Sequence, residues 1–314
     1  MAWMEVLAPA KLNLFLELVE QRSDGFHELE TVMTSVNLFD RILLRRRPDD
    51  CLFLSQVPIP PNYNLEVFSM PSDRTNLVWQ AIDLLKQKTG RRFGLDVLIQ
   101  KNIPSQAGMG GGSSDAAATL VAANRMLDLG LSKQQLVALA NQLGSDIAFF
   151  IDRFFPENRS GFQTSRCLGR GELVEPLADH RISHYVIAMP PKGLSTADVY
   201  RHSELPEKRV NSDALVKGIT TGSYRPGKSG IWNRLQIAAE KLSPWVERLK
   251  HEFQRTGCGD HQLTGSGAAY FGMFQSALWA KRANRTLAAR LPKCSVFFVS
   301  SVGNDANLIR YRAE

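Results

Sequence analysis

Leu12, Leu14, Leu16 and Leu18 alternate with Asn13, Phe15, Glu17 and Val19, a period-two pattern that predicts a β-strand starting near Lys11. After the turn signal Ser23-Asp24-Gly25, the run Val32 to Leu44 predicts a second strand. Asn76 is placed to cap a helix that carries Leu77, Ala81, Leu84 and Leu85 on one side and ends near Gly90. Phe93, Leu95, Val97 and Ile99 then alternate, giving a strand that delivers Lys101 to a glycine-dense loop. A helix follows over residues 113–127. Ser132 and Gln135 next form a capping-box pattern before Leu136, Leu139, Ala140 and Leu143, with Gly144 closing that helix.

From about Asp152 to Arg166 the chain turns polar and irregular, which marks a boundary or a surface excursion. Beyond it the pattern predicts a strand at Tyr185–Met189, helix over 233–253 broken at Pro244, and a strand at Ala268–Phe274. A helix at Ala277–Leu291 and a strand at Val296–Val299 complete the series. The expectation is an α+β fold in two domains, residues 1–165 and 166–314. No internal repeat and no long low-complexity tract interrupts it.

The loop KNIPSQAGMGGGSSDAAAT, residues 101 to 119, lies between a predicted strand and a predicted helix. Gly108, Gly110, Gly111 and Gly112 lack Cβ, so the backbone can take positive φ and bring N–H groups close to an anion. Ser113 and Ser114 open the helix, whose free N–H groups and positive dipole end add to a phosphate site. A flexible Gly/Ser linker is the competing reading, but Ala117, Leu120 and Val121 lead straight into an apolar helical face.

Composition narrows the class without deciding the function. The chain has 314 residues, 44% of them hydrophobic, enough for a packed core of one large or two ordinary domains. The N-terminus lacks the succession of a signal peptide, and no apolar run approaches a membrane span, so the expected location is the cytoplasm, with no membrane partner. Cys51, Cys167, Cys258 and Cys294 show no paired spacing and are expected to be reduced. The net charge of +7 suits a protein with phosphorylated substrates as well as one that binds nucleic acid. The cluster Arg45-Arg46-Arg47 has no interleaved aromatic platform, so it is read as a solvated strand end and no nucleic-acid partner is expected.

Several residues can carry chemistry. Asp146, in Gly144-Ser145-Asp146-Ile147-Ala148-Phe149-Phe150, is an acid set against an apolar run; it can be a tuned base, the cap of the next helix, or both, since the two roles are compatible. Lys11 opens a strand where its side chain faces either solvent or a site, and His27 sits in a turn with both a donor and an acceptor. Thr264-Gly265-Ser266-Gly267 is a second glycine turn. Gly222 to Ser229, GSYRPGKS, satisfies the P-loop pattern G-x-x-x-x-G-K-[ST], but no buried strand precedes it and Gly230 delays any helix after it.

Taken together, Pro9-Ala10-Lys11-Leu12-Asn13-Leu14, the loop IPSQAGMGGGSSDAAATL, the run LGSDIAFF and the late LTGSGAAYF resemble the GHMP kinase superfamily in order and spacing. The glycine loop alone admits homoserine, galactose and mevalonate kinases. PAKLNLFL followed by SDGFHEL looks like the diphosphocytidyl-methylerythritol kinases of bacteria and plastids. The resemblance implies a two-domain GHMP kinase fold with its active site in the interdomain cleft. It further implies ATP-dependent phosphorylation of the C2 hydroxyl of a diphosphocytidyl-methylerythritol substrate in non-mevalonate isoprenoid synthesis.

In that scheme Asp146 takes the hydroxyl proton and Lys11 orients the hydroxyl and stabilises charge. Gly108, Met109, Gly110, Gly111, Gly112, Ser113 and Ser114 are implied at the ATP phosphates, with Asn76, Leu77, Lys101, Pro104 and Ala107 also implied in binding the nucleotide. Phe26 and Tyr200 are implied to stack on cytosine and His27 to bond its edge, with Asn13 and Thr196 as further substrate contacts. Phe26 stands where the family usually has Tyr, so stacking survives there without a hydroxyl contact, and Met109 replaces the usual Leu. Mg2+ is implied by the use of ATP, with ligands unknown. A monomer or homodimer is expected. Another small-molecule GHMP kinase is the nearest alternative; a catalytically silent nucleotide- or RNA-binding module is the rival from a different class, and the retention of Lys11 together with Asp146 argues against it.

Overall fold

The computed structural model describes residues 2–58, 65–155, 161–227 and 230–312. The alternating N-terminal run forms β1 (Trp3–Gln21), and the stretch after the turn forms β2 (His27–Arg47), paired antiparallel along almost their whole length. Bulges at Pro9/Ala10, Asn13/Phe15 and Leu18/Glu20 shift the register, and each shift re-aims the side chains around it. β1 starts eight residues before Lys11, because Met4–Val6 are sandwiched between β2 and a second partner at Ile309–Tyr311, whose position no local pattern announces.

β3 (Leu52–Gln56), α1 (Leu65–Phe68), α2 (Leu77–Thr89), β4 (Gly94–Gln100) and α3 (Gly111–Met126) follow. The caps are those the residues predict. Asn76 Oδ1 accepts from Val78 N at 2.8 Å, and Gly90 ends α2 in the left-handed region at φ 65°. α4 (Lys133–Leu143) opens on the Ser132/Gln135 capping box, with both of its hydrogen bonds present. α5 (Ser145–Arg153) begins directly after Gly144, and β5 (Thr164–Leu168) and β6 (Leu173–Pro176) make a hairpin.

The remaining elements are β7 (His184–Met189), α6 (Thr196–Arg201), α7 (Asp213–Thr220), β8 (Trp232–Asn233), α8 (Leu235–Leu242) and α9 (Pro244–Gln254). β9 (Asp260–Leu263), β10 (Tyr270–Phe274), α10 (Ala277–Arg290), β11 (Ser295–Ser300) and β12 (Ile309–Arg312) close the chain. The break expected at Pro244 is there, with Pro244 at the start of α9 behind the capping Ser243.

Two sheets organise these elements. The first runs β12-β1-β2-β4-β3, with the β5–β6 hairpin added through β2 and β8 parallel to β1; the second is antiparallel, β11-β7-β10-β9. The 165/166 border falls inside β5, whose Thr164–Cys167 pair with Thr31–Thr34, and β8 and β12 return to the first sheet from the far end of the chain. α3 lies against β1 and β2 and beneath α2 and α5. Its Ala116, Ala117, Ala118, Ala122 and Ala123 are fully buried, and side chains that small let the helix approach the sheet closely. All four cysteines carry free thiols, and burial pushes the Cys294 thiol up to about 11. Among the described residues no helix is long and apolar enough to cross a membrane.

Candidate active site

A cavity of about 1190 Å³ opens between the two sheets, bordered by β1, the glycine loop, the start of α5, α6 and the turn at Gly265-Ser266. That volume exceeds the usual range for one small ligand, roughly 300–1,000 Å³, and accommodates two.

The glycine loop forms one wall. Gly108 (φ 72°) and Gly110 (φ 69°) take the left-handed conformation, and neither tolerates a side chain. A Cβ on Gly108 would sit 2.0 Å from the Thr264 carbonyl oxygen, and one on Gly110 would sit 2.8 Å from the Phe150 ring. Gly110 caps α3 with no side-chain cap, so the first-turn N–H groups point to the cavity edge without an internal acceptor. Lys11 N donates to Met109 O at 3.0 Å, while Ala268 N and Ala269 N donate to the carbonyls of Gln106 and Ala107. The loop is thereby fastened to β1 on one side and to the second sheet on the other.

Lys11 and Asp146 face this wall. The Lys11 ammonium is buried, bonds Asn13 Oδ1 and lies 3.5 Å from Asp146 Oδ2. Asn13 is held in turn by Thr31 Oγ1 at 2.9 Å and by Thr264 Oγ1. Asn13 therefore positions Lys11, and its carboxamide oxygen is already occupied. Asp146 stands in the first turn of α5 and is one-third exposed to the cavity, while Ile147, Ala148, Phe149 and Phe150 turn into the core. The capping alternative fails, since the α5 cap is Gly144 and no side chain caps it. The neighbours of the Asp146 carboxylate are thus a cation and the cavity, and the apolar run that follows it in sequence points elsewhere.

Lys101 borders the cavity, but its ammonium is buried between Asp40 and Asp115, the latter at 2.8 Å. Burial opposes its charge, yet the two carboxylates outweigh that and hold it above the ordinary lysine range. Asp40 also accepts from the backbone N–H groups of Asn102 and Ile103, whereas Asp115 Oδ1 has no partner. Burial pushes the Asp115 carboxyl up to about 8 against the pull of Lys101. The sequence reading missed this triad, because Asp40 lies on β2 and reaches Lys101 only through the β2–β4 pairing.

At the opposite end His27 and Tyr200 lie ring to ring, centroids 5.4 Å apart and tilted by 37°. Burial lowers the His27 pKa, so at neutral pH the ring is uncharged, with one nitrogen donating and the other accepting. Phe26 is 57% exposed at the rim, and Arg170 lies over its face at 5.2 Å. Thr196 Oγ1 and Ser266 Oγ share a hydrogen bond of 2.9 Å that joins α6 to the second glycine turn.

Of the residues singled out in sequence, Asn76, Leu77, Pro104, Met109, Gly111, Gly112 and Ser113 border the same cavity as those above. Ser114 alone does not; it is fully buried behind the wall, with its hydroxyl unpartnered. The P-loop-like segment lies elsewhere. Gly222 to Gly227 follow a helix rather than a strand and are held by Asp260, which accepts from Tyr224 Oη at 2.6 Å and Gly227 N at 2.9 Å. Lys228 and Ser229 fall outside the described residues.

Known proteins match the chain over most of its length. Residues 76–152 match the GHMP kinases N terminal domain and residues 223–293 the GHMP kinases C terminal family. The chain is 37% identical over 279 residues to a 4-diphosphocytidyl-2-C-methyl-D-erythritol kinase of Geobacillus thermodenitrificans, covering 87% of this chain and 88% of that one. It is 36% identical to the enzyme of the same name from Shouchella clausii, covering 86% and 85%. A crystal structure of a 4-(cytidine 5'-diphospho)-2C-methyl-D-erythritol kinase superposes with a TM-score of 0.76 at 29% identity, over 95% of this chain and 99% of that one. Homoserine kinase from Cytophaga hutchinsonii shares the fold at a TM-score of 0.70 and 19% identity. The chain belongs to the GHMP kinase superfamily and, within it, to the family of the 4-diphosphocytidyl-2-C-methyl-D-erythritol kinases.

Proposed function

We propose that this protein transfers the γ-phosphoryl group of ATP to the 2-hydroxyl of 4-diphosphocytidyl-2-C-methyl-D-erythritol, giving the 2-phosphate and ADP for isoprenoid precursor synthesis. The observation that carries this reading is the pairing of Lys11 with Asp146 across from an uncapped helix start in one cavity.

The donor phosphates sit along Gly108 to Ser113, where backbone N–H groups and the dipole of α3 meet their charge. The acceptor alcohol sits between Asp146 and Lys11. Asp146 Oδ2 takes the hydroxyl proton as the oxygen attacks the γ-phosphorus and the bond from phosphorus to the bridging oxygen of ADP breaks. Lys11 holds the attacking oxygen in line and offsets the charge that builds there. A tertiary alcohol is crowded and weakly acidic, so positioning and electrostatics carry the rate. The cytosine ring lies against Phe26 and Tyr200, and neutral His27 reads its edge.

The residues fit magnesium in a particular way. Asp115 borders the cavity at the head of α3 with its Oδ1 unpartnered, an oxygen donor of the kind a hard cation would take in place of a proton. Among the described residues no group of three His, Cys, Asp or Glu could hold a metal alone. A magnesium ion carried mainly by the donor phosphates would supply charge neutralisation as the phosphoryl group moves.

An assay of ADP release with methylerythritol, its diphosphocytidyl form, homoserine and mevalonate tests the reading. Turnover is expected with the diphosphocytidyl form. Equal turnover of free methylerythritol, or preference for homoserine or mevalonate, would refute it.

A further inference from the structure

Arg170 borders the cavity and has no part in the transfer described above. It sits at the tip of the β5–β6 hairpin between Gly169 (φ 74°) and Gly171 (φ 117°), and Gly171 N closes the turn onto Leu168 O at 3.1 Å. This tip touches both ends of the cavity. Leu29 N, two residues after His27, donates to Gly169 O at 2.7 Å, and the Arg170 guanidinium lies over Phe26. On the other side, a Cβ on Gly171 would stand 3.6 Å from Ser145 Cβ and 3.9 Å from Asp146 Oδ1.

The other long cations around the cavity are already engaged. Lys101 is held by Asp40 and Asp115, Lys11 by Asn13 and Asp146, and Arg201 by Asp198 at 2.9 Å. The Arg170 guanidinium has weaker ties. Its Nε is 3.9 Å from Glu172 Oε1, and Nη2 reaches Asn141 O at 3.4 Å. Among the described residues, most of its five N–H groups are left to a ligand.

We propose that Arg170 binds the diphosphate of the diphosphocytidyl substrate and is the residue that selects the diphosphocytidyl form. The inference rests on the function proposed above. With the base at Phe26, His27 and Tyr200 and the alcohol at Asp146, the diphosphate linking them must cross the gap between these groups, and the hairpin tip stands beside it. A planar guanidinium can hold two phosphate oxygens at once, which a lone ammonium cannot do in the same fixed geometry.

Calorimetric titration of the full chain with cytidine and with cytidine diphosphate, alongside the KM for ATP, tests this on Arg170→Gln and Arg170→Lys. Wild type should bind the diphosphate more tightly than the nucleoside. Arg170→Gln should lose about tenfold to a hundredfold in affinity for cytidine diphosphate, as expected for losing a charged hydrogen bond. Cytidine affinity and the KM for ATP should hold in the same variant, and Arg170→Lys should recover part of the loss. Equal losses for cytidine and its diphosphate would mean that Arg170 only supports the Phe26 ring and would overturn the proposal, as would an unchanged affinity for the diphosphate. A wild-type protein that binds neither ligand would instead refute the diphosphocytidyl reading itself, so the two failures are distinct.

Discussion

Lys11 Nζ stands 3.5 Å from Asp146 Oδ2, although one residue belongs to the first strand and the other to the fifth helix. Asn13, Thr31 and Thr264 lock the lysine from behind, so its ammonium has little freedom except toward the carboxylate and the cavity.

Asp146→Asn keeps the shape of the site and removes the proton acceptor. We expect kcat to fall by about 10²- to 10⁴-fold, the usual contribution of a positioned base. Calorimetry should find ATP affinity unchanged. Full turnover in this variant would eliminate Asp146 as the base.

Gly110→Ala confronts both left-handed backbone and the Phe150 ring. The conformation alone costs about 1–2 kcal/mol for a residue with Cβ, and overpacking adds about 1–3 kcal/mol. Gly90→Ala is the matched control, since Gly90 is also left-handed (φ 65°) but nothing lies within 4 Å of its missing Cβ. Denaturant melts should show the larger loss at Gly110, and a raised KM for ATP in that variant alone.

Asp115 gives the protein a pH signature. Its folded pKa of about 8 lies above the ordinary carboxylate value of 3.8, so between those limits the folded state binds the extra proton. Stability from this group is therefore complete at acid pH and is lost as pH rises through 8, on the order of 1 kcal/mol per pH unit at most. Thermal melts from pH 5 to pH 9 should show a downward slope that Asp115→Asn flattens. An identical slope in that variant would rule out Asp115 as its source.

Lys228→Ala should leave kcat and the KM for ATP unchanged. The glycine-rich segment before it, Gly222 to Gly227, follows α7 and is held against Asp260, outside the lining of the catalytic cavity. A large rise in the KM for ATP would reinstate the P-loop reading.

What the chain spells out locally is what short-range forces govern. Alternation marks β1 and β4; caps at Asn76 and Ser132 and the break at Pro244 mark helix starts; and Gly108 and Gly110 announce backbone that favours glycine. Short or edge elements such as β6, β8 and β12 carry too little periodicity to be read, and their pairing partners lie far away in sequence. The same limit hid the Asp40–Lys101–Asp115 triad and the place of Arg170. Sequence alone determined the residue types at the site and the strand–loop–helix unit around the phosphates, since those depend on neighbours a few positions apart. Tertiary structure alone decided that Asp146 meets Lys11, that the Lys101 charge is compensated inside the wall and that the Gly169–Gly171 hairpin tip reaches both Phe26 and the start of α5. Those relationships depend on sheet register and on the bulges that re-aim β1.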